Sequence, residues 1–83
     1  MLIAPWNFPV ALVMIKLAPA LIAGCTVVIK PASETPLDLR VLMDAAVAAG
    51  IPAGVLNMVT ADSDNSIAVG KVLCASDVVR HIS

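Results

Sequence analysis

Two short segments hold the residues best suited to chemistry. In Lys30-Pro31-Ala32-Ser33-Glu34-Thr35-Pro36 an ammonium, hydroxyls and a carboxylate share one loop. In Pro5-Trp6-Asn7-Phe8-Pro9 two prolines bracket an amide flanked by the only aromatic residues of the chain, Trp6 and Phe8. A loop that leaves the carboxyl end of a strand for the N-terminus of a helix is where open parallel sheets take ligands. The lysine segment has that form, so it is expected to be a site with Lys30 and Ser33 directed into it. The proline-bracketed segment is a rigid turn, because each proline biases its predecessor toward extended backbone. It either displays Asn7 as a fixed amide or is a packing turn in which Asn7 satisfies its own backbone. Cys25 and Cys74 lie far apart, without C-x-x-C spacing or a neighbouring histidine. They read as reduced core cysteines of a cytosolic protein, not as a disulfide or a metal site.

The elements that must position these residues follow from periodicity and punctuation. Val27, Val28 and Ile29 are consecutive and β-branched, which suits a strand covered on both faces. Lys30 and Pro31 end it, since proline cannot donate to a sheet ladder. Thr35 as N-cap, Pro36 at the first helical position and Asp38 three residues past the cap make a capping box. That helix runs to about Ala49 with an apolar stripe at Leu37, Val41, Ala45 and Ala48, and Gly50 stops it. Upstream, Leu2 to Ala4 is a short strand. Pro9 to Ala23 is a helix apolar nearly all round and therefore expected to be buried. Pro19 kinks or divides it, Gly24 closes it, and Lys16 reaches a surface along its own stem. Downstream come a turn at Ile51–Gly54, a strand Val55–Val59 and a polar loop Thr60–Asn65. A helix capped by Asp64 or Asn65 then runs through about Ala75, followed by a last strand, Val78–Ile82. Strands alternating with helices through short connections predict an α/β fold, a Rossmann-like parallel sheet with flanking helices. Neither G-x-G-x-x-G nor a P-loop is present, so spacing alone leads as far as a nucleotide-type α/β fragment.

Composition sets the class. Of 83 residues, 60% are hydrophobic and 13% charged, and the mean hydropathy is +1.00. A domain of this size buries only about 60% of its unfolded surface, so the apolar faces are expected to belong against further polypeptide of a larger protein. With a net charge of −1 and no basic run, nothing provides an electrostatic footprint for nucleic acid. Val10 to Ile29 carries one charge and is long enough to cross a bilayer, and Leu21-Ile22-Ala23-Gly24-Cys25 is similar to a lipoprotein cleavage site. Lys16, Pro19 and Gly24 interrupt that run and no basic segment follows Met1, which argues against the membrane. An exported lipoprotein acylated at Cys25 is the remaining alternative of that class.

The two segments together, PWNFP and KPASETP, resemble the aldehyde dehydrogenase superfamily. Lys16-Leu17-Ala18-Pro19-Ala20-Leu21, Ala49 to Asn57 and Val79-Arg80-His81-Ile82-Ser83 fit the same pattern, so the resemblance spans the chain. The KPAS form and the long Thr60-to-Ile67 loop are most similar to the succinate-semialdehyde dehydrogenase branch. The resemblance implies oxidation of an aldehyde to a carboxylate, with a cysteine nucleophile, a glutamate base and NAD or NADP as cofactor. It assigns Asn7 to the oxyanion hole, where a preorganised donor is typically worth ~10²–10³ in rate. It assigns Trp6, Asn7, Lys30, Pro31, Ala32 and Ser33 to the cofactor site, with Lys30 at the adenosine ribose. Many NAD-preferring members carry glutamate where Ser33 stands, and that carboxylate repels a 2′-phosphate. Ser33 therefore predicts that NADP is accepted, whereas Glu34, if it reaches the ribose, favours NAD. Ala61 stands where many members have glycine.

Residues 1–83 are thus expected to be part of the NAD(P)-binding domain of a cytoplasmic dehydrogenase truncated at both ends. The nucleophile and base are implied to lie beyond Ser83, so the 83 residues alone are expected to be inactive. The parent is implied to be a homo-oligomer, dimer or tetramer, acting on a small-molecule aldehyde with no metal. The alternative from a different class is a non-catalytic nucleotide-binding or interaction module.

Overall fold

A computed structural model describes residues 1–83 throughout. Six elements alternate along the chain: β1 (Leu2–Ile3), α1 (Pro9–Ile22), β2 (Val27–Lys30), α2 (Pro36–Ala48), β3 (Leu56–Met58) and α3 (Ser66–Ala75). The strands form one parallel sheet in the order β1-β2-β3. Leu2 pairs with Ile29 and Ile3 with Lys30, while Val27, Val28 and Ile29 pair with Leu56, Asn57 and Met58. The α/β, Rossmann-like expectation holds.

The core lies between the sheet and the first two helices. Leu2, Val27, Ile29 and Leu56 from the strands meet Val13 and Leu17 of α1 and Leu39 of α2. Strand side chains alternate between faces, and Ile3 and Asn57 on the other face are exposed while Val28 is half-buried. The β-branched run at β2 predicts cover on both faces, but these residues supply one helical layer on one face only.

Both packed helices end by the same device. After α1, Gly24 donates to the Leu21 carbonyl and Cys25 to that of Ala20. After α2, Gly50 donates to Val47 and Ile51 to Ala46. Each is a Schellman closure, and it requires the left-handed φ of +81° at Gly24 and +86° at Gly50. Pro19 neither divides nor ends α1, which continues to Ile22.

Five expectations change. α1 buries only Val13 and Leu17, and Ile15 and Ile22 are 67% and 88% exposed. A helix apolar all round still presents one face to a single sheet, so the rest is left open. On α2 the stripe at Leu37 and Val41 faces outward, and the packed side is Leu39 with Leu42, Met43 and Ala46. The helix carries two apolar stripes, and periodicity alone does not choose between them. Neither expected side-chain cap forms on α2 or α3. Residues 78–82 form no strand. Only the end of this segment pairs along the free edge at β1: the Met1 ammonium donates to the His81 carbonyl at 2.6 Å, and Ser83 donates to Met1 and accepts from Ile3. Cys25 and Cys74 are both exposed, because one lies in a helix–strand connection and the other on α3, which buries no residue.

Candidate functional site

The parallel register brings the carboxyl ends of all three strands to one edge. Ala4 N–H donates to the Lys30 carbonyl at 3.2 Å, and Val59 N–H to that of Ile29 at 2.9 Å. Three loops therefore leave the sheet at the same level: residues 5–8, 31–35 and 59–65. Each leads into a helix N-terminus, whose free N–H groups and dipole favour anionic or oxygen-rich groups. This edge unites every site residue expected from the sequence.

The first two loops share a plan. Both leave a strand through a proline, Pro5 or Pro31, and both enter a helix with proline at its first position, Pro9 or Pro36. Their side chains differ. Trp6 and Phe8 are 64% and 67% exposed, and Asn7 is exposed with its amide free of any hydrogen bond within the chain. In the second loop Pro31 is fully buried and Lys30 is 6% exposed. Lys30 Nζ donates to the Pro31 carbonyl at 3.4 Å, its one hydrogen bond. Thr35 N–H donates to Ala32 O at 3.3 Å. Thr35 Oγ1 is buried and has no partner. Ser33 Oγ donates to Glu34 Oε2 at 3.1 Å.

The third loop contributes what sequence reasoning had left unassigned. Asp62 Oδ1 accepts from Asn65 N–H at 2.8 Å and from Asn65 Nδ2 at 2.9 Å. Asp62, upstream of the expected caps, thus organises the entry to α3. Between the end of β3 and α3 lies a cleft of about 500 Å³ lined by Val59, Thr60, Ala68, Val69 and Val72. Its signal in the sequence was positional: Thr60 opens the third loop that leaves the carboxyl edge. A second cavity, about 350 Å³, lies against the amino-terminal half of β2 between Cys25–Val28 and Val78–His81. It is remote from the three loops.

A parallel α/β layer with its polar loops gathered at the carboxyl edge has the layout in which open sheets take ligands. The comparisons narrow that layout to a family. The chain matches the aldehyde dehydrogenase family over residues 1–83. It is 49% identical over 81 residues to a succinate-semialdehyde dehydrogenase (NADP(+)) of Escherichia coli strain K12, covering 98% of this chain and 16% of that protein. It is 50% identical over 82 residues to succinate-semialdehyde dehydrogenase (NADP(+)) 1 of Schizosaccharomyces pombe, covering 99% and 16%. The mitochondrial succinate-semialdehyde dehydrogenase of Mus musculus is 48% identical over 82 residues, with 99% and 16% covered. The chain belongs to the aldehyde dehydrogenase family. It spans about one-sixth of the length of the curated relatives it matches.

Proposed function

We propose that this chain is part of the NAD(P)-binding domain of a dehydrogenase that oxidises succinate semialdehyde to the dicarboxylate. The observation that carries the reading is Lys30: a buried cation at the carboxyl edge with one long hydrogen bond, in a loop that also holds the unpartnered hydroxyl of Thr35. Buried charge and buried hydroxyl are costly unless paired. A donor set of this kind fits the ribose and phosphate oxygens of a nicotinamide dinucleotide. Trp6, Asn7, Lys30, Pro31, Ala32 and Ser33 would hold it. When bound, that cofactor supplies the hydride acceptor.

Asn7 has a separate role in this reading. Its free NH₂ donates to the substrate oxygen on which negative charge develops, and Pro5 and Pro9 limit the backbone on either side. The thiol nucleophile and the carboxylate base belong to the rest of the protein, so the 83 residues by themselves are inactive. The substrate assignment draws on the names of the similar proteins, three of which carry succinate semialdehyde. Acceptance of NADP rests on Ser33 and on the two similar proteins named for NADP(+). The reading includes a dimer or tetramer, as the family resemblance implies, and a cytoplasmic setting, in keeping with two free cysteines. No helix is long and apolar enough to cross a membrane.

The test is reduction of NADP⁺ and NAD⁺, followed at 340 nm, by the full-length protein with succinate semialdehyde and a panel of other aldehydes. The expected result is turnover with succinate semialdehyde well above the panel. Turnover of no aldehyde with either cofactor overturns the reading.

A further inference from the structure

The second cavity, away from the carboxyl edge, combines two kinds of wall. It holds about 350 Å³, more than twice the roughly 150 Å³ of an apolar cavity that takes up a benzene ring. Leu2, Ala20, Val27, Val28, Val78 and Val79 make it apolar, and none of its lining residues belongs to the three loops at the carboxyl edge. Val28 is half-buried and Val78 is 86% exposed, so part of this apolar wall stands in water. The polar fringe is Cys25, Thr26, Arg80 and His81, and no acidic residue lines the space. Arg80 is exposed and has no ion-pair partner, since the one salt bridge of the chain joins Arg40 and Asp44. Its guanidinium offers five N–H donors in a fixed fork. A free guanidinium at the rim of an apolar hollow without negative charge is complementary to a chain that ends in an anion.

We infer that this cavity is a second ligand site, for an amphipathic monocarboxylate. The apolar chain lies against Val28, Val78 and Val79, and the carboxylate takes the Arg80 fork at the mouth. Arginine matches a carboxylate with two parallel, charge-assisted hydrogen bonds, and the neutral His81 ring has one N–H to add beside it. The Cys25 thiol, exposed on the same wall, lies under the bound chain and reports its presence. The site stands on its own residues and does not rest on the dehydrogenase reading.

The experiment is calorimetric titration of the full-length protein with octanoate, in the absence of aldehyde and dinucleotide. The same samples are alkylated with iodoacetamide, and the Cys25 and Cys74 peptides are followed by mass spectrometry. Octanoate is expected to bind and to slow alkylation of Cys25 in proportion to occupancy. Cys74, on α3 and outside the cavity, keeps its rate. Arg80→Met is expected to raise the Kd for octanoate roughly tenfold, the loss of one charge-assisted contact, and Arg80→Lys by less, because a point charge remains. Each CH₂ removed from the acid should weaken binding roughly fourfold. Three results overturn the proposal. The first is no binding of octanoate. The second is binding that leaves Cys25 alkylation unchanged or is indifferent to Arg80→Met, which puts the acid elsewhere. The third is a Cys25 that does not react in the ligand-free protein, because further polypeptide fills the cavity. None of these bears on aldehyde turnover, so the dehydrogenase reading is tested separately.

Discussion

The first and second loops at the carboxyl edge share a plan and differ in how they are held. Both run from a strand end through proline to a helix that opens on proline. The second is fixed by contacts within the chain: Pro31 is fully buried, Lys30 nearly so, and Thr35 N–H closes back onto Ala32. The first presents Trp6 and Phe8 to solvent at 64% and 67% exposure. Fully burying a large apolar side chain is worth about 1.5–3 kcal/mol, and these residues leave most of that unrealised for both aromatics. Nothing among residues 1–83 covers Trp6 and Phe8. The second loop is therefore shaped locally, whereas the Asn7 loop has its backbone set by prolines and its side chains left free.

The sharpest way to separate the loops is by which kinetic quantity each one moves. In the full-length protein, Asn7→Ala is expected to lower kcat by ~10²–10³, the usual cost of one oxyanion donor. Thermal stability should hardly change, because the Asn7 side chain makes no hydrogen bond within the chain. A drop in melting temperature with kcat preserved would make Asn7 a packing residue and remove the distinction between the loops.

Lys30→Met asks the converse question of the second loop. Methionine keeps an unbranched apolar stem and removes the ammonium. Losing a hydrogen bond from a charged donor costs about 1.5–3 kcal/mol, so the Kd for both dinucleotides should rise roughly 10- to 100-fold by calorimetry. At saturating cofactor, kcat should stay within a small factor of wild type. Stability should hold or rise, since a buried cation with one long hydrogen bond is replaced by an apolar chain. Unchanged cofactor affinity would make Lys30 a purely structural residue.

What could be read from the sequence divides along similar lines. Glycine and proline acted locally and were legible: Gly24 and Gly50 close their helices as expected, and Pro9 and Pro36 open theirs. The three strands and three helices follow from periodicity. Choices settled by tertiary contact were not legible. α2 has apolar residues on two stripes, and only the sheet decides that Leu39, Leu42 and Met43 face inward while Leu37 and Val41 do not. The cysteines looked like core residues by type, but their places after Gly24 and on the unpacked α3 expose them. The segment 78–82 has strand composition, yet only its end, from His81, pairs along the free edge at β1, and no strand forms. For the site, residue types and loop position marked Lys30 and Ser33, but the Ser33–Glu34 contact and the cleft beside α3 needed coordinates.

The smallest expected effect tests how completely the second loop is satisfied by its own chain. The sequence pattern gives Thr35 the part of a capping side chain, and loss of such a cap typically costs ~1 kcal/mol. In the structure Oγ1 is buried with no partner and caps nothing. Replacing a buried, unpaired hydroxyl with a methyl of the same shape is close to neutral. Thr35→Val in the cofactor-free, full-length protein should therefore shift the melting temperature by no more than about 1 °C. If the hydroxyl instead serves the cofactor, the stabilisation that saturating NADP⁺ adds should shrink in the variant, because a ligand stabilises only through its affinity for the folded state. A clear loss of stability without cofactor would mean that Thr35 caps α2 after all, and that the second loop is held by one more internal contact than the structure contains.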